Sequence, residues 1–192
     1  MADIETRLSR LEMEIKNPRF MENRGVGNEV RYYVFDYPAE QELIIRAWVR
    51  DIVRKNKNNY TTSSIVVFDL YEMIISFLKE KGFMEKCYEF EKNRGLTFLA
   101  KTIGDAMRFS TDDSIIIRRI QNDTPDNAIV FLTGVGKCFP ILRSHKVLNN
   151  LHQVMDKVPV IMFYPGKYDG QELVLFSEVK DDNYYRAFKL ID

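Results

Sequence analysis

The stretch FLTGVGKCFP comes nearest to a phosphate-binding loop, because an apolar, strand-like run leads into Gly134, Gly136 and Lys137. A phosphate-binding loop reads G-x-x-x-x-G-K-[ST]; its backbone N–H groups and lysine hold phosphates, and its hydroxyl binds Mg²⁺. Counting back from Gly136, the first glycine position is occupied by Phe131, and Cys138 stands where Ser or Thr is required. The loop is therefore too short to wrap phosphates and lacks the metal-binding hydroxyl.

The same glycines also miss the dinucleotide-binding pattern G-x-G-x-x-G, since its third position is Phe139. A sharp strand-to-helix turn, in which glycine supplies backbone freedom, explains the loop without any phosphate. A nucleotide-responsive domain stays an alternative, because Asp69 ends another apolar strand as a Walker B acid does. We favour Asp69 as the cap of the following helix, with Glu72 three residues later in a capping-box arrangement.

The two histidines, His145 and His152, lie seven residues apart on one predicted helix, about two turns, and so share a face. A zinc site uses closer ligands and usually three protein groups. No cysteine or carboxylate stands at a matching distance, so we predict no metal and no cofactor. Cys138 with His145 as its base is a nucleophile pair by proximity alone, without a nucleophile elbow. We therefore assign no catalytic residue.

The charges of the chain balance, with 28 Lys and Arg residues against 28 Asp and Glu residues. A neutral chain argues against a dominant electrostatic grip on nucleic acid or anionic lipid. A DNA-contacting subunit stays open as an alternative through a local basic patch, although direct DNA binding is not expected. That patch would comprise Arg118, Arg119, Arg143 and Lys146.

Near the end of the chain, NYYRAF places Tyr184, Tyr185 and Arg186 together. Exposed aromatic residues and arginine favour protein interfaces. The alternative is that these residues pack internally, with Arg186 paired to Asp181 or Asp182.

The class of protein follows from what the sequence lacks. Two cysteines, Cys87 and Cys138, indicate reduced thiols rather than a disulfide framework. The N-terminal stretch is charged throughout and has no apolar core of a signal peptide. No apolar run approaches the roughly 20 residues of a membrane span. We expect a soluble, cytoplasmic protein that does not enter a membrane.

Strand and helix patterns alternate along the chain. The N-terminus predicts an amphipathic helix at 3–16 and a polar connector at 17–29. Helices are also expected after Pro38, after Asp69, and across Phe83 to Phe109 with a break near Asn93 to Gly95. A further helix, capped by Ser110, is expected over TDDSIIIRRIQND, although its three consecutive isoleucines also suit a strand. A helix is predicted over ILRSHKVLNNLHQVM and a turn over PGKYDG. The tail DDNYYRAFKLID is predicted to form a terminal helix or strand. Five further runs predict strands. The strand runs are VRYYVFDYP, SSIVVFD, AIVFL, VPVIMFY and ELVLF.

This alternation predicts a single α/β domain over residues 1–192, of three layers, with a mostly parallel sheet and helices on both faces. It would be a degenerate phosphate-loop-like or Rossmann-like fold. The loops that follow Phe35, Phe68, Leu132 and Tyr164 would meet at the carboxyl ends of the strands, where such sheets usually bind ligands.

Three stretches of the sequence together resemble a known family. These stretches are similar to the BrxB family of bacterial BREX phage-defence systems, and they read FLTGVGKCFPILRSHKVLNNLH, PVIMFYPGKYDGQELVLF and NYYRAFKLI. The resemblance is strong over Ile129 to Ile191 and weaker through YVFDYPAEQE and IVVFDLYEMI, so it covers nearly the whole chain.

The resemblance implies a small cytoplasmic component encoded beside a large ATPase, a DNA methyltransferase and an alkaline-phosphatase-like protein, PglZ. These systems mark host DNA by adenine methylation and block phage replication. It implies a non-enzymatic assembly or adaptor subunit whose first partner is a PglZ-like protein, with the BREX ATPase or methyltransferase as others. It supplies no catalytic residue. Our candidate interaction surface comprises Gly134, Gly136, Arg143, His145, Tyr164, Gly166, Tyr168, Asp169, Tyr184 and Arg186.

Overall fold

The structure, a computed structural model, describes residues 3–22, 31–58, 63–111, 113–181 and 187–192. Its strands are β1 (Tyr32–Tyr37), β2 (Ser64–Asp69), β3 (Ala128–Thr133), β4 (Val160–Tyr168), β5 (Leu173–Leu175), β6 (Val179–Asp181) and β7 (Phe188–Lys189). Its helices are α1 (Ile4–Lys16), α2 (Pro18–Glu22), α3 (Glu42–Asn58), α4 (Leu70–Glu80), α5 (Met84–Ala106), α6 (Ile115–Asp123), α7 (Val135–Cys138) and α8 (Ser144–Val154), with a 3₁₀ turn at Ala39–Gln41.

Five strands form a parallel sheet in the order β2-β3-β4-β1-β7. The carboxyl end of β4 continues past this sheet and pairs with β5 in an antiparallel ladder, which β6 extends. The α/β class and the mostly parallel sheet are therefore confirmed. The carboxyl ends of β1 to β4 lie along one edge, so the loops that follow them meet there.

Helices cover both faces of the sheet. One face of the strands presents Val34, Val130 and Met162 to α4, α6 and α8. The alternate residues, Phe35 and Phe131 among them, face α1 and α3. Both sets are buried, which is why the strand sequences read as continuous apolar runs rather than as an alternating pattern. The three-layer arrangement is confirmed.

Some local predictions hold and others need correction. Gly95 interrupts α5 with φ +79°, as the predicted break required. The helix that Ser110 was expected to cap begins at Ile115 instead, and its N-cap residue is Ser114. The predicted connector begins with α2, whose Phe20 is buried against α1 and α3; residues 23–29 lie outside the described residues.

At the other end, PGKY is not a turn. Pro165 to Tyr168 continue β4, because β5 supplies an antiparallel partner to Gly166, Lys167 and Tyr168. The helix predicted from Ile141 begins at Ser144, after the short helix α7. In the described part of the predicted tail, Asp181 ends β6 and Phe188–Lys189 form β7.

Candidate functional site

The lysine of the phosphate-loop-like turn is paired with an acid of the neighbouring strand. Lys137 Nζ donates to Asp69 Oδ2 at 2.7 Å, and Glu72 Oε1 lies 3.6 Å from the same nitrogen. The other oxygen, Asp69 Oδ1, accepts from the backbone N–H groups of Tyr71 and Glu72 at 3.1 Å each. The interpretation of Asp69 as the cap of α4 is confirmed, and the same carboxylate neutralises the only lysine of the loop.

Gly134 allows this acid to approach. Its φ is +75°, a left-handed conformation that favours glycine. A Cβ atom built on Gly134 would lie 2.3 Å from Asp69 Oδ1. The first glycine of the loop, Gly134, therefore makes room for the protein's own carboxylate.

Gly136 makes a second close approach. A Cβ atom there would lie 3.0 Å from both the Phe176 ring and Pro165. Phe176 is exposed at the tip of the β5–β6 hairpin, so this glycine lets a hairpin side chain lie against the loop. Gly166 allows β4 to approach β5 closely, since a Cβ atom on Gly166 would lie 2.1 Å from the backbone oxygen of Val174.

The thiol of Cys138 is unsuited to nucleophilic attack. Burial, followed by the nearby Asp69 carboxylate, raises the pKa of the thiol to about 12. The thiolate is the reactive form, so Cys138 is almost entirely unreactive at neutral pH. His145 lies half-buried in the first turn of α8, while His152 stacks on Tyr32 with ring centroids 3.9 Å apart. The described residues hold no group of three His, Cys, Asp or Glu side chains arranged for a metal ion.

Two of the predicted surface residues line a groove at the carboxyl edge of the sheet. Arg143, the N-cap residue of α8, is exposed there, and Tyr164 is buried in its wall. We call it the α8 groove; its lining includes Leu142, Arg143, Ser144, Tyr164, Leu175 and Lys180. The structure thus brings Arg143 and Tyr164 together at this groove. Val135, which lies between Gly134 and Gly136 in the sequence, also lines it.

Tyr168 and Asp169 have internal roles. The Tyr168 hydroxyl donates to the carbonyl oxygens of Ala187 at 2.6 Å and Gly170 at 3.1 Å. Asp169 accepts from the backbone N–H groups of Glu172 and Gln171, and these bonds hold the pKa of its carboxyl below the usual range. Both residues therefore shape the turn into β5. Tyr184 and Arg186, the remaining predicted surface residues, lie outside the described residues.

Arg7 and Asp36 form a buried ion pair that was not predicted from the sequence, and Arg7 also contacts the C-terminal segment. Arg7 donates to Asp36 Oδ1 at 2.8 Å, to the Asp36 carbonyl oxygen at 2.7 Å and to the Ile191 carbonyl oxygen at 3.0 Å. Asp36 Oδ2 accepts from the backbone N–H of Tyr168 at 3.0 Å. Two features of the sequence could have indicated this pair. An arginine lies within the apolar stripe of α1, and an acid lies within the apolar run of β1.

The predicted basic patch is interleaved with acids. Arg118 pairs with Asp113, and Arg119 lies 3.6 Å from Glu80. The Lys146 ammonium donates to the Ser110 hydroxyl at 3.2 Å. Arg143 belongs to the α8 groove instead. Acidic partners therefore neutralise part of the charge of Arg118 and Arg119.

Comparison with known proteins gives consistent matches. A family model described as BREX protein BrxB matches residues 66–190. A protein named BREX protein BrxB from Bacillus cereus (strain H3081.97) is 45% identical over 192 residues, which is 100% of both chains. The chain belongs to the BrxB family. A second BREX protein BrxB, from Escherichia coli O9:H4 (strain HS), is 33% identical over 188 residues, 98% of this chain and 92% of that protein. No solved structure matches.

Family membership makes the chain a component of a BREX phage-defence system. The match over residues 66–190 runs from β2 to β7, so it contains Asp69, Lys137 and the α8 groove. Arg7 and Asp36 precede that match but lie inside the full-length similarity to the Bacillus protein. In the part of the chain that the structure describes, no helix is both long and apolar enough to cross a bilayer.

Proposed function

We propose that this BrxB-family chain is a non-enzymatic assembly or adaptor subunit of a cytoplasmic BREX defence complex. Its first partner is a PglZ-like protein, and the BREX ATPase or methyltransferase are its other candidates. The observation that carries this proposal is the 2.7 Å contact between Lys137 and Asp69. A loop whose lysine already has an internal carboxylate partner contributes structure rather than phosphate chemistry.

The arrangement opposes nucleotide binding in two ways. A phosphate would have to displace Asp69 from Lys137, although both side chains are more than two-thirds buried and their contact is screened less than a surface pair. The phosphate would also meet the negative charge of Asp69 itself, which lies against Gly134. The residues of the loop therefore support protein contact at this edge more than nucleotide hydrolysis.

Co-purification tests the proposal. The full-length chain, carrying an affinity tag, is co-expressed in turn with the PglZ-like protein, the ATPase and the methyltransferase of its own system. We expect a complex with the PglZ-like protein that survives size-exclusion chromatography. A monodisperse chain that captures none of the three proteins contradicts the proposal.

Two titrations of the purified chain separate the alternatives. Millimolar ATP, ADP and GTP are expected to give no binding heat and no thermal shift, and a saturable heat would favour a nucleotide-responsive domain. Duplex DNA at low salt is expected to migrate unretarded. Retardation that weakens steeply with salt would instead indicate a DNA-contacting subunit.

A further inference from the structure

The two edges of the parallel sheet end differently. At one edge β7 pairs with β1 over two residues, and the Arg7 guanidinium covers the next outward group of β1 by donating to the Asp36 carbonyl oxygen. A very short edge strand and a covered edge are ways in which proteins prevent another strand from pairing. At the other edge β2 runs for six residues, and none of the described strands pairs with its outer side.

The ladder with β3 determines which backbone groups of β2 face outward. The N–H of Ser64 donates to the carbonyl oxygen of Asn127 at 3.1 Å, and successive residues of a strand direct their backbone groups to opposite sides. The even-numbered residues of β2 therefore bond β3. The residues that direct N–H and C=O groups away from the sheet are Ile65, Val67 and Asp69.

Two of these outward groups already have partners within the chain. Asn56 Oδ1 accepts from the N–H of Ile65 at 2.9 Å. Asp69 is the N-cap residue of α4, and the carbonyl oxygen of an N-cap residue accepts the first bond of its helix. The open part of the edge therefore runs from the Ile65 carbonyl oxygen, through the N–H and carbonyl groups of Val67, to the N–H of Asp69.

The apolar side chains of β2 also remain partly exposed. Val66 and Val67 are half-buried, whereas Val130 and Phe131, their neighbours on β3, are 0% exposed. From Ser64 to Phe68 the strand carries no charged residue, no proline and no glycine. An apolar edge strand without these protective residues is a template for pairing with another chain.

We propose that β2 pairs in antiparallel orientation with β2 of a second copy of this chain, about a twofold axis at Val67. On this axis Val67 exchanges two hydrogen bonds with Val67 of the second copy, and the Ile65 carbonyl oxygen accepts from the N–H of Asp69 of that copy. The two groups that already have partners, the Ile65 N–H and the Asp69 carbonyl oxygen, lie opposite one another. The edge is therefore self-complementary, as an interface between two identical chains requires.

Other registers satisfy fewer groups. A shift of two residues in one direction places the Val67 carbonyl oxygen opposite the Ile65 N–H, which is bonded to Asn56. The opposite shift places the Val67 N–H opposite the Asp69 carbonyl oxygen, which is bonded within α4. This match between the edge and its own rotated copy identifies the occupant as a second copy of the chain.

The side chains agree with the same axis. Val66 lies opposite Phe68 of the second copy on one face of the sheet, and Val67 lies opposite Val67 on the other. Cross-strand pairs of β-branched and aromatic residues stabilise a sheet. The carboxylate of Asp69, which is paired with Lys137, lies opposite an apolar residue, so the axis brings no like charges together. The dimer goes beyond the proposed function, since an adaptor subunit can also bind its partners as a monomer.

Sedimentation velocity of the full-length chain over a range of micromolar concentrations tests the dimer. The mass is expected to reach twice the 22.7 kDa of one chain. Val67→Lys places two like charges at the axis and is expected to give a monomer at every concentration, because charge on an edge strand opposes pairing. Val67→Thr keeps a β-branched side chain and is the matched control, which is expected to remain a dimer.

Disulfide cross-linking tests the register without relying on a charged variant. Val67→Cys in a Cys87→Ser background is expected to form a linked dimer under mild oxidation, because Cα atoms of such a directly opposed pair lie about 5.5 Å apart. Ser64→Cys in the same background is the control. It is expected to stay unlinked, since three residues on each side of the axis separate the two thiols by roughly 20 Å.

The outcomes separate this inference from the proposed function. A chain that stays at 22.7 kDa, with no cross-link for Val67→Cys, overturns the dimer. Equal cross-linking of Val67→Cys and Ser64→Cys overturns the register. If the chain alone is monomeric and Val67→Lys, with an unchanged melting temperature, no longer captures the PglZ-like protein, the edge binds a strand of that protein and the second-copy assignment is wrong. A dimer that captures no BREX protein overturns only the proposed function.

Discussion

Lys137 Nζ lies 2.7 Å from Asp69 Oδ2, and this contact joins the loop after β3 to the end of β2. In phosphate-binding proteins the corresponding lysine faces the phosphates and the corresponding acid serves the metal ion. Here the two side chains face one another, and Gly134 provides the space. At this edge of the sheet the charges of the loop lysine and of the acid at the end of β2 therefore neutralise each other.

The pair should stabilise the fold modestly. Lys137→Met is expected to lower the free energy of unfolding by up to about 1 kcal/mol, since the pair is only partly buried. Asp69→Ala should cost about 1 kcal/mol more, because it also removes the cap of α4. Urea denaturation of the two single variants and the double variant gives the coupling energy. A coupling energy of zero would show that the contact contributes nothing, and Lys92→Met, at an exposed site on α5, is the control.

Gly134 should tolerate no side chain. Gly134→Ala places a non-glycine residue at φ +75°, which costs roughly 1–2 kcal/mol, and drives its Cβ atom into Asp69, which removes the cap worth about 1 kcal/mol. Gly170→Ala is the matched control, because its φ is +97° and its Cβ atom would meet nothing within 4 Å. Thermal unfolding should show the greater loss for Gly134→Ala. Equal decreases in melting temperature for the two variants would mean that the close approach of Asp69 to Gly134 does not contribute to stability.

Breaking the buried pair between Arg7 and Asp36 should be severe. The two side chains are 5% and 10% exposed, so Arg7→Met leaves a buried carboxylate without its main partner and is expected to cost about 3–5 kcal/mol. Adding Asp36→Asn removes the stranded charge and should recover part of that loss. Urea denaturation measures both, with Arg10→Met as the exposed control on the same helix. A loss below about 0.5 kcal/mol for Arg7→Met, within the range of surface substitutions, would contradict this role of the pair.

The thiol of Cys138 should resist modification in the folded protein. Cys87→Ser leaves Cys138 as the single thiol, and its pKa of about 12 predicts almost no reaction with a disulfide reagent at pH 8 until denaturant is added. Because this pKa is raised from 9.0, the thiol's contribution to stability is complete below pH 9 and is lost as the pH rises toward 12. Rapid reaction in the native state would reopen the nucleophile hypothesis.

The parallel core could be predicted because its strands are short apolar runs bounded by helix caps. Asp69 and Gly95 were found from the sequence because caps and breaks depend on local chemistry. The extension of β4 was not predicted, since Pro and Gly indicate turns, whereas antiparallel pairing with the next strand, β5, makes PGKY a strand. The strand propensity of these four residues alone does not indicate that pairing.

The site was predicted less completely than the fold. Gly134 and Tyr164 were expected at the carboxyl edge of the sheet because parallel strands end there, whereas the approach of Phe176 to Gly136 was not predicted, since nothing local indicates the positive φ of Phe176. The Arg7–Asp36 pair spans 29 residues and was also missed. In the sequence each member of the pair is a single charged residue within an apolar pattern, and only the fold shows that the two are in contact.

A parallel pair of calorimetric titrations tests the central claim most directly. The purified PglZ-like protein and Mg-ATP are titrated separately into the full-length chain. The account predicts a saturable heat of defined stoichiometry with the PglZ-like protein and only the heat of dilution with ATP. Saturable binding of ATP, with no heat from the PglZ-like protein, the ATPase or the methyltransferase, would contradict it.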